Sequence, residues 1–338
     1  MTLRIAINGF GRIGRTILRL LATSRADAGI EVVRVNDIAG AEILTYLFEY
    51  DSVFGPFPGE VSAGGGRFRV AGREMALSHE ADLSRLDLGD VDLVLECTGR
   101  ADSRDVAERG LTAGARGVLI SGPSAAAEAT IVLGANDAAM EGRRIVSNAS
   151  CTTNALAPLL AVLHDLFGVE SAHMTTVHCY TGSQPTVDKP RGGLERSRAA
   201  ALSMVPTTTS AHGQMARVLP HLAGRIEARA IRVPTASVSC IDLSVSLRKA
   251  VSVAAINEVL RSASESGPHS NVFGWTERPL VSSDLRARPE SIIMCGRETS
   301  VSTGGLARVF GWYDNEWGFS CRMLDMAAMI GAALRTRV

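Results

Sequence analysis

The sequence predicts an α/β protein in two parts: a doubly wound, parallel-stranded domain over residues 1–150 and 317–338, and an α+β domain over 151–316 built on a mostly antiparallel sheet. Three observations predict this. A glycine-rich turn, Gly9 to Gly14, follows a short apolar run and opens a helical pattern. Strand-like and helix-like segments then alternate as far as Ser147, as crossover connections in a parallel sheet require. Past Asn154 the texture changes to β-rich runs with few helical segments between them.

Taken in order, Leu3 to Ile7 alternates as a strand and runs into Asn8-Gly9-Phe10-Gly11-Arg12-Ile13-Gly14. Arg15 to Ala22 then spaces Ile17, Leu18, Leu20 and Leu21 as a helix does. G-x-G-x-x-G between strand and helix is the Rossmann-type dinucleotide fingerprint, although a plain tight turn could carry the same letters. A second strand, Glu31 to Val35, ends in Asn36-Asp37, where that fold places an acid for the adenosine ribose hydroxyls. Missing side chains at Gly9 and Gly11 would let backbone approach a pyrophosphate at the helix N-terminus. The carboxylate of Asp37 would repel a 2′-phosphate, so NAD is expected over NADP.

Ala41 to Phe48 reads as a short helix, and Gly64 to Val70 and Arg73 to Leu77 read as edge pieces of an antiparallel appendage. The parallel pattern resumes with Val91 to Glu96, ending in Cys97-Thr98-Gly99, small residues suited to a strand end lying against a cofactor. Arg104 to Ala113 is the next crossover helix, followed by strands Gly117 to Ser121, Ala129 to Leu133 and Arg144 to Ser147. In the second part Ala155 to Phe167 is helical despite Pro158, and strands are expected at Ser171 to Cys179, Ala228 to Val233, Ser237 to Leu247, Ser291 to Cys295 and Leu306 to Tyr313. Thr181 to Arg198 lacks periodicity and predicts a long ordered or partner-stabilised loop. Glu316 to Leu334 is a closing helix that docks back on the first domain.

Composition narrows the function classes. With 46% hydrophobic and 21% charged residues in 338, the chain can build packed cores and is not disordered. Zero formal net charge gives no global attraction to nucleic acid or anionic membranes. No apolar run reaches membrane length and no basic, apolar leader opens the chain, so a cytoplasmic location is expected. The six cysteines are scattered without a CxxC pair, which indicates free thiols, no zinc site and no disulfide framework.

One cysteine stands apart. Ser147-Asn148-Ala149-Ser150-Cys151-Thr152-Thr153-Asn154 places Cys151 at a helix start, where unpaired N–H groups and the dipole favour a thiolate. His178, at the end of the next strand pattern, is the natural base, and the expected consequence is a lowered thiol pKa. A half-buried cysteine capped by Ser150 and Thr152 is the bland alternative.

These segments resemble the phosphorylating glyceraldehyde-3-phosphate dehydrogenases (type I). The resemblance rests on residues 6–15, the stretch 147–154, Thr175-Thr176-Val177-His178, Arg232-Val233-Pro234-Thr235 and Trp312 to Gly318, in family order over essentially the whole chain. It implies NAD as cofactor, glyceraldehyde 3-phosphate and inorganic phosphate as substrates, and a homotetramer. Cys151 would be the nucleophile and His178 the base. Gly9, Gly11, Arg12, Ile13, Gly14, Asp37, Thr98, Ser121 and Asn315 would hold the cofactor, Asn315 by orienting the nicotinamide carboxamide. Thr181 and Arg232 would bind the substrate phosphate, and Ser150, Thr152, Arg196 and Thr209 the inorganic phosphate, with Ser210 beside them.

This chain also departs from the family pattern. Ser210 and His212 stand where typical members have glycine and alanine, so crowding of the inorganic phosphate is expected. Ala101 replaces an aromatic, Ser121-Gly122-Pro123-Ser124 replaces Ser-Ala-Pro-Ala, and Cys179 beside His178 is uncommon. Cys179 is read as a buried small residue, with a second oxidisable thiol as the alternative. The erythrose-4-phosphate dehydrogenases, which share the Cys–His pair, and a non-catalytic redox or regulatory paralogue are the other readings.

Overall fold

The structure is a computed structural model and describes residues 2–266 and 270–335; the expected domain ends at 1 and 336–338 lie outside them. Two compact units result. One holds the chain to Ile131, Ala138–Ala149 and the segment from Ser320; the other holds Val132–Asp137 and Ser150–Phe319. No described helix is long and apolar enough to cross a membrane.

The first unit is built on β1 (Leu3–Asn8), β2 (Ile30–Asn36), β3 (Val61–Gly64), β4 (Arg67–Val70), β5 (Arg73–Ser78), β6 (Leu93–Glu96), β7 (Gly117–Ile120), β8 (Ala129–Thr130) and β9 (Ile145–Ser147). They form one sheet in the order β3-β4-β5-β2-β1-β6-β7-β9-β8. Six of these pairings are parallel, as the alternation predicts. β5 departs from its expected edge role: it pairs in parallel with β2, and only β3 and β4 form the antiparallel margin. Its buried Met75 and Leu77 alternate with more exposed residues, and that period of two does not reveal the direction of a neighbour.

Helix α1 (Arg12–Ala22) buries Ile17, Leu18, Leu20 and Leu21. Its approach to β1 needs glycine for two reasons. A Cβ on Gly14 would lie 2.3 Å from the Gly9 carbonyl oxygen, and one on Gly9, whose φ is +90°, would lie 2.7 Å from the backbone of Cys97 and Thr98. Both close approaches are between main chains, which cannot move aside as a side-chain tip can.

The second unit opens with α4 (Cys151–Phe167), preceded in chain order by α2 (Ala41–Glu49) and α3 (Arg104–Thr112) of the first. α4 runs unbroken through Pro158, which removes the hydrogen bond to the Asn154 carbonyl without ending the helix. Its sheet comprises β10 (Val169–Cys179), β11 (Val205–Thr207), β12 (Ile226–Val233), β13 (Ser239–Leu247), β14 (Phe273–Thr276), β15 (Ile292–Cys295), β16 (Ser300–Val301) and β17 (Ala307–Tyr313). The order is β11-β12-β10-β13-β17-β15-β14, with β16 beside β17, and most pairings are antiparallel. β10 and β12 are parallel, which sets His178 opposite Arg232 and Cys179 opposite Val233.

Two helices absent from the expected pattern complete this unit. They are α5 (Ala211–Val218) and α6 (Val253–Glu265). The signal for α6 was present: the Ser252 hydroxyl accepts from the Ala255 N–H at 3.2 Å, and Ile256 and Leu260 are buried four residues apart. The closing helix α7 (Trp317–Arg335) is anchored by Asp314, whose carboxylate accepts the N–H groups of Glu316 and Trp317 at 3.0 and 2.8 Å.

Candidate active site

Cys151 is the first residue of α4, and the local sequence explains why the helix starts there. The Ser150 hydroxyl accepts from the Thr153 N–H at 3.1 Å, closing the first turn. Gln214 of α5 then fixes this cap from outside: its Oε1 accepts from the Ser150 N–H at 3.1 Å and from the Thr153 hydroxyl at 2.7 Å. Gln214 is a residue that sequence reasoning missed, because α5 itself was not expected.

The Cys151 Sγ lies 3.6 Å from Nε2 of His178, which ends strand β10. The other ring nitrogen, Nδ1, is 2.7 Å from the Cys179 carbonyl oxygen and donates to it, so Nε2 is the acceptor facing sulfur. Arg232 donates from Nη1 to the same carbonyl at 2.9 Å and stands 2.9 Å from His178 Nδ1. Burial, followed by that guanidinium charge, pushes His178 down to about 3, so the imidazole is neutral and able to take a proton.

The expected drop in the Cys151 pKa is not met. Burial of the sulfur pushes the thiol up and outweighs the opposing pull of Arg232 and of the N–H and hydroxyl of Thr152. The helix start is present as expected, yet desolvation of an anion is the larger effect at this depth. The free protein therefore pairs a thiol with a neutral imidazole.

Beneath the pair, the buried Tyr313 hydroxyl lies between Thr152 Oγ1 at 2.9 Å and Thr176 Oγ1 at 2.8 Å, and Thr176 donates to the Cys240 carbonyl at 2.9 Å. The Tyr313 ring meets the His178 ring edge-on, with centroids 5.9 Å apart. No local pattern signals this support, because β17 reaches β10 only through β13.

A helix-borne cysteine beside an oriented neutral histidine and an arginine is chemistry for a carbonyl carbon near an anion. Comparison with known proteins names the family. Residues 150–315 match the C-terminal domain of glyceraldehyde 3-phosphate dehydrogenase, and residues 3–104 match its NAD binding domain. The glyceraldehyde-3-phosphate dehydrogenase of Pseudomonas aeruginosa is 48% identical over 98% of this chain and 99% of its own. Those of Xanthobacter flavus and Geobacillus stearothermophilus are 46% and 43% identical over 98% of this chain and 99% of theirs. The chain belongs to the glyceraldehyde-3-phosphate dehydrogenase family.

The residues that the family pattern gives to phosphate are distributed as follows. Arg196 donates from Nε to the Thr207 hydroxyl at 2.7 Å and from Nη2 to the Thr208 carbonyl at 3.0 Å, which anchors it beside Thr209. The Thr209 hydroxyl accepts from the Ala211 N–H at 3.3 Å. The Thr152 hydroxyl is engaged with Tyr313, and that of Ser150 with the helix cap. Thr181 pairs with Ser183 at 2.9 Å on the exposed loop. Ser210 precedes α5 with φ −63° and ψ −19°, a conformation open to any residue. The His212 Nδ1 lies 3.6 Å from Glu227, so its ring is drawn to a carboxylate.

In the first unit the residues expected to hold the cofactor lie at the carboxyl ends of β1, β2, β6 and β7. The Asp37 carboxylate accepts from the Phe10 N–H at 2.7 Å and from the Ala39 N–H at 2.9 Å, tying the end of β2 to the glycine turn. A buried chain lies behind them: Asn36 donates to Asn8 at 2.8 Å, and Asn8 donates to Glu96, which also accepts from the N–H and hydroxyl of Thr98. Ser121 donates its N–H to the Glu96 carbonyl at 2.9 Å. Arg12 pairs with the buried carboxylate of Asp51 and lies over the Phe54 ring, and Ile13 is half-buried beside it.

NAD fits this cradle on two structural grounds. α1 has no side-chain cap at Gly11, and a Cβ there would meet no atom within 4 Å. A pyrophosphate has room to approach the start of α1 there, where the helix dipole favours an anion.

Proposed function

We propose that this protein catalyses the NAD-dependent oxidation and phosphorylation of glyceraldehyde 3-phosphate to 1,3-bisphosphoglycerate through a thioester on Cys151. The observation that carries it is the row formed by Cys151 Sγ, the oriented Nε2 of His178 at 3.6 Å, and Arg232 in register on the neighbouring strand. Full-length relatives at 43–48% identity, all called glyceraldehyde-3-phosphate dehydrogenase, support the reading.

Sulfur attacks the aldehyde carbon while His178 Nε2 takes the thiol proton and passes it to the carbonyl oxygen, giving a hemithioacetal. Nε2 then withdraws the hydroxyl proton as the carbon is oxidised, leaving an acyl group on Cys151. Bound NAD supplies the hydride acceptor. Inorganic phosphate next attacks the thioester carbon, the C–S bond breaks, and the acyl phosphate leaves with the sulfur regenerated. Thr181 and Arg232 hold the substrate phosphate, while Ser150, Thr152, Arg196, Thr209 and Ser210 surround the attacking one. In the free protein the Ser150 and Thr152 hydroxyls are engaged with the α4 cap and with Tyr313, so they reach the attacking phosphate by exchanging those partners.

Residues 1–150 with the closing helix form the NAD-binding domain, with Gly9, Gly11, Arg12, Ile13, Gly14, Asp37, Thr98 and Ser121 contributing to it, and 151–316 the catalytic domain, in which Asn315 is assigned to the nicotinamide carboxamide. The protein works in the cytoplasm as a homotetramer. Support for assembly comes from Val187, Leu194, Leu202 and Met204, which are 70%, 87%, 84% and 75% exposed along one irregular stretch and call for a covering surface.

The test is NADH formation by purified protein with glyceraldehyde 3-phosphate or erythrose 4-phosphate, each with and without inorganic phosphate. Continuous turnover with the triose and phosphate, but only a single burst without phosphate, is expected. Equal or faster phosphate-independent oxidation of the tetrose would overturn the assignment.

A further inference from the structure

Asn315 is 7% exposed at the end of β17, and its amide is held from one side only. The Cys179 thiol donates to its Oδ1 at 3.0 Å, and the Ser239 hydroxyl donates to the same oxygen at 3.5 Å. The Ser239 hydroxyl accepts from the Cys179 N–H at 3.1 Å, which leaves its own proton available to donate. Burial pushes Cys179 up to about 12, so the sulfur keeps its proton and remains a donor. The Nδ2 group of Asn315 makes no hydrogen bond among the described residues. The main chain around it is fixed: Asp314 accepts from Glu316, Trp317 and, at 2.9 Å, Ala287.

An asparagine amide can be turned over at little cost unless its neighbours distinguish oxygen from nitrogen. Here two donors converge on one end, which leaves the NH₂ group as the end presented outward. We propose that Cys179 is a positioning residue for the cofactor: with Ser239 it locks the Asn315 amide so that its NH₂ group donates to the carboxamide oxygen of nicotinamide. This rests on the assignment of Asn315 to the nicotinamide given above. It also gives Cys179 a chemical role beyond filling space and places it outside oxidative regulation, since a buried protonated thiol is a poor target for oxidants.

Three variants and one spectrum test the inference. Cys179→Ala should weaken NAD binding, measured by calorimetry, by roughly two- to tenfold, the range for one neutral hydrogen bond. It should leave the KM for aldehyde and for phosphate unchanged. Cys179→Ser keeps a donor and should restore the parent affinity. In an Asn315→Ala background, Cys179→Ala should have no further effect on NAD affinity.

The S–H stretching band of Cys179, isolated as the parent minus Cys179→Ala infrared difference, should shift to the frequency of a free thiol in Asn315→Ala. An unmoved band would overturn the pairing. A band that moves while Asn315→Ala binds NAD as the parent does would overturn the nicotinamide assignment of Asn315, and with it the role of Cys179. Parent affinity in Cys179→Ala, with Asn315→Ala impaired, would overturn the positioning role alone.

Discussion

His178 and Arg232 face each other in register on the parallel strands β10 and β12, with Arg232 Nη1 2.9 Å from His178 Nδ1 and both directed at the Cys179 carbonyl. Burial, reinforced by a fixed positive charge this close, keeps the imidazole neutral, and the shared carbonyl sets its tautomer. Replacing His178 by asparagine removes the acceptor at Nε2. Oxidation should slow by roughly 10² to 10⁴, the range for a positioned acid or base. Stopped-flow NADH formation measures this, and a rate within the parent's error would remove His178 from the mechanism.

The same depression makes folding sensitive to acid. His178 titrates about 3 when folded and at its ordinary 6.5 when unfolded, so between these values the unfolded chain binds a proton that the folded one does not. Its contribution to stability is fully present above about pH 6.5 and is lost as pH falls toward about 3. Thermal unfolding of parent and His178→Asn between pH 7 and pH 4 should show a steeper fall of Tm in the parent. Parallel falls would show that His178 titrates freely.

Cys151→Ser should abolish oxidation and leave NAD binding intact, since a serine hydroxyl at this position cannot yield a comparable nucleophile. Calorimetry with NAD and a steady-state assay read the two properties separately. Turnover within roughly tenfold of the parent would reject the thioester route.

Asp37 closes the glycine turn through the Phe10 N–H, so its loss acts on the turn as well as on cofactor choice. Asp37→Ala should narrow the ratio of kcat/KM for NAD over NADP, by weakening the first and relieving repulsion of the second. Comparable parent activity with both coenzymes would count against a discriminating role.

The Ser210 side chain caps no helix N–H and makes no hydrogen bond among the described residues, and its helical φ does not itself demand glycine. If its side chain crowds the attacking phosphate, Ser210→Gly should lower the phosphate KM severalfold while the aldehyde KM and the first NADH burst stay as they are. A raised phosphate KM would instead identify the hydroxyl as a ligand.

By itself, the sequence determined the alternation of strands and helices, the glycine turn, and the placing of Cys151 at a helix start, because each depends on neighbours within a few residues. Gly9 to Gly14 and the 3.6-residue spacing of α1 are signals of this kind. Only the tertiary structure decided what surrounds those groups. Gln214 locks the Ser150 cap from α5, Tyr313 reaches Thr152 from β17, and Arg232 meets His178 across a strand pair, contacts spanning 64, 161 and 54 positions of chain. Register between distant strands is fixed by how whole faces pack, and no local pattern encodes it. Burial of the Cys151 sulfur belongs to the same class. The helix start that lowers a thiol pKa is local, whereas the desolvation that raises it is imposed by the whole fold, and here desolvation is the larger effect.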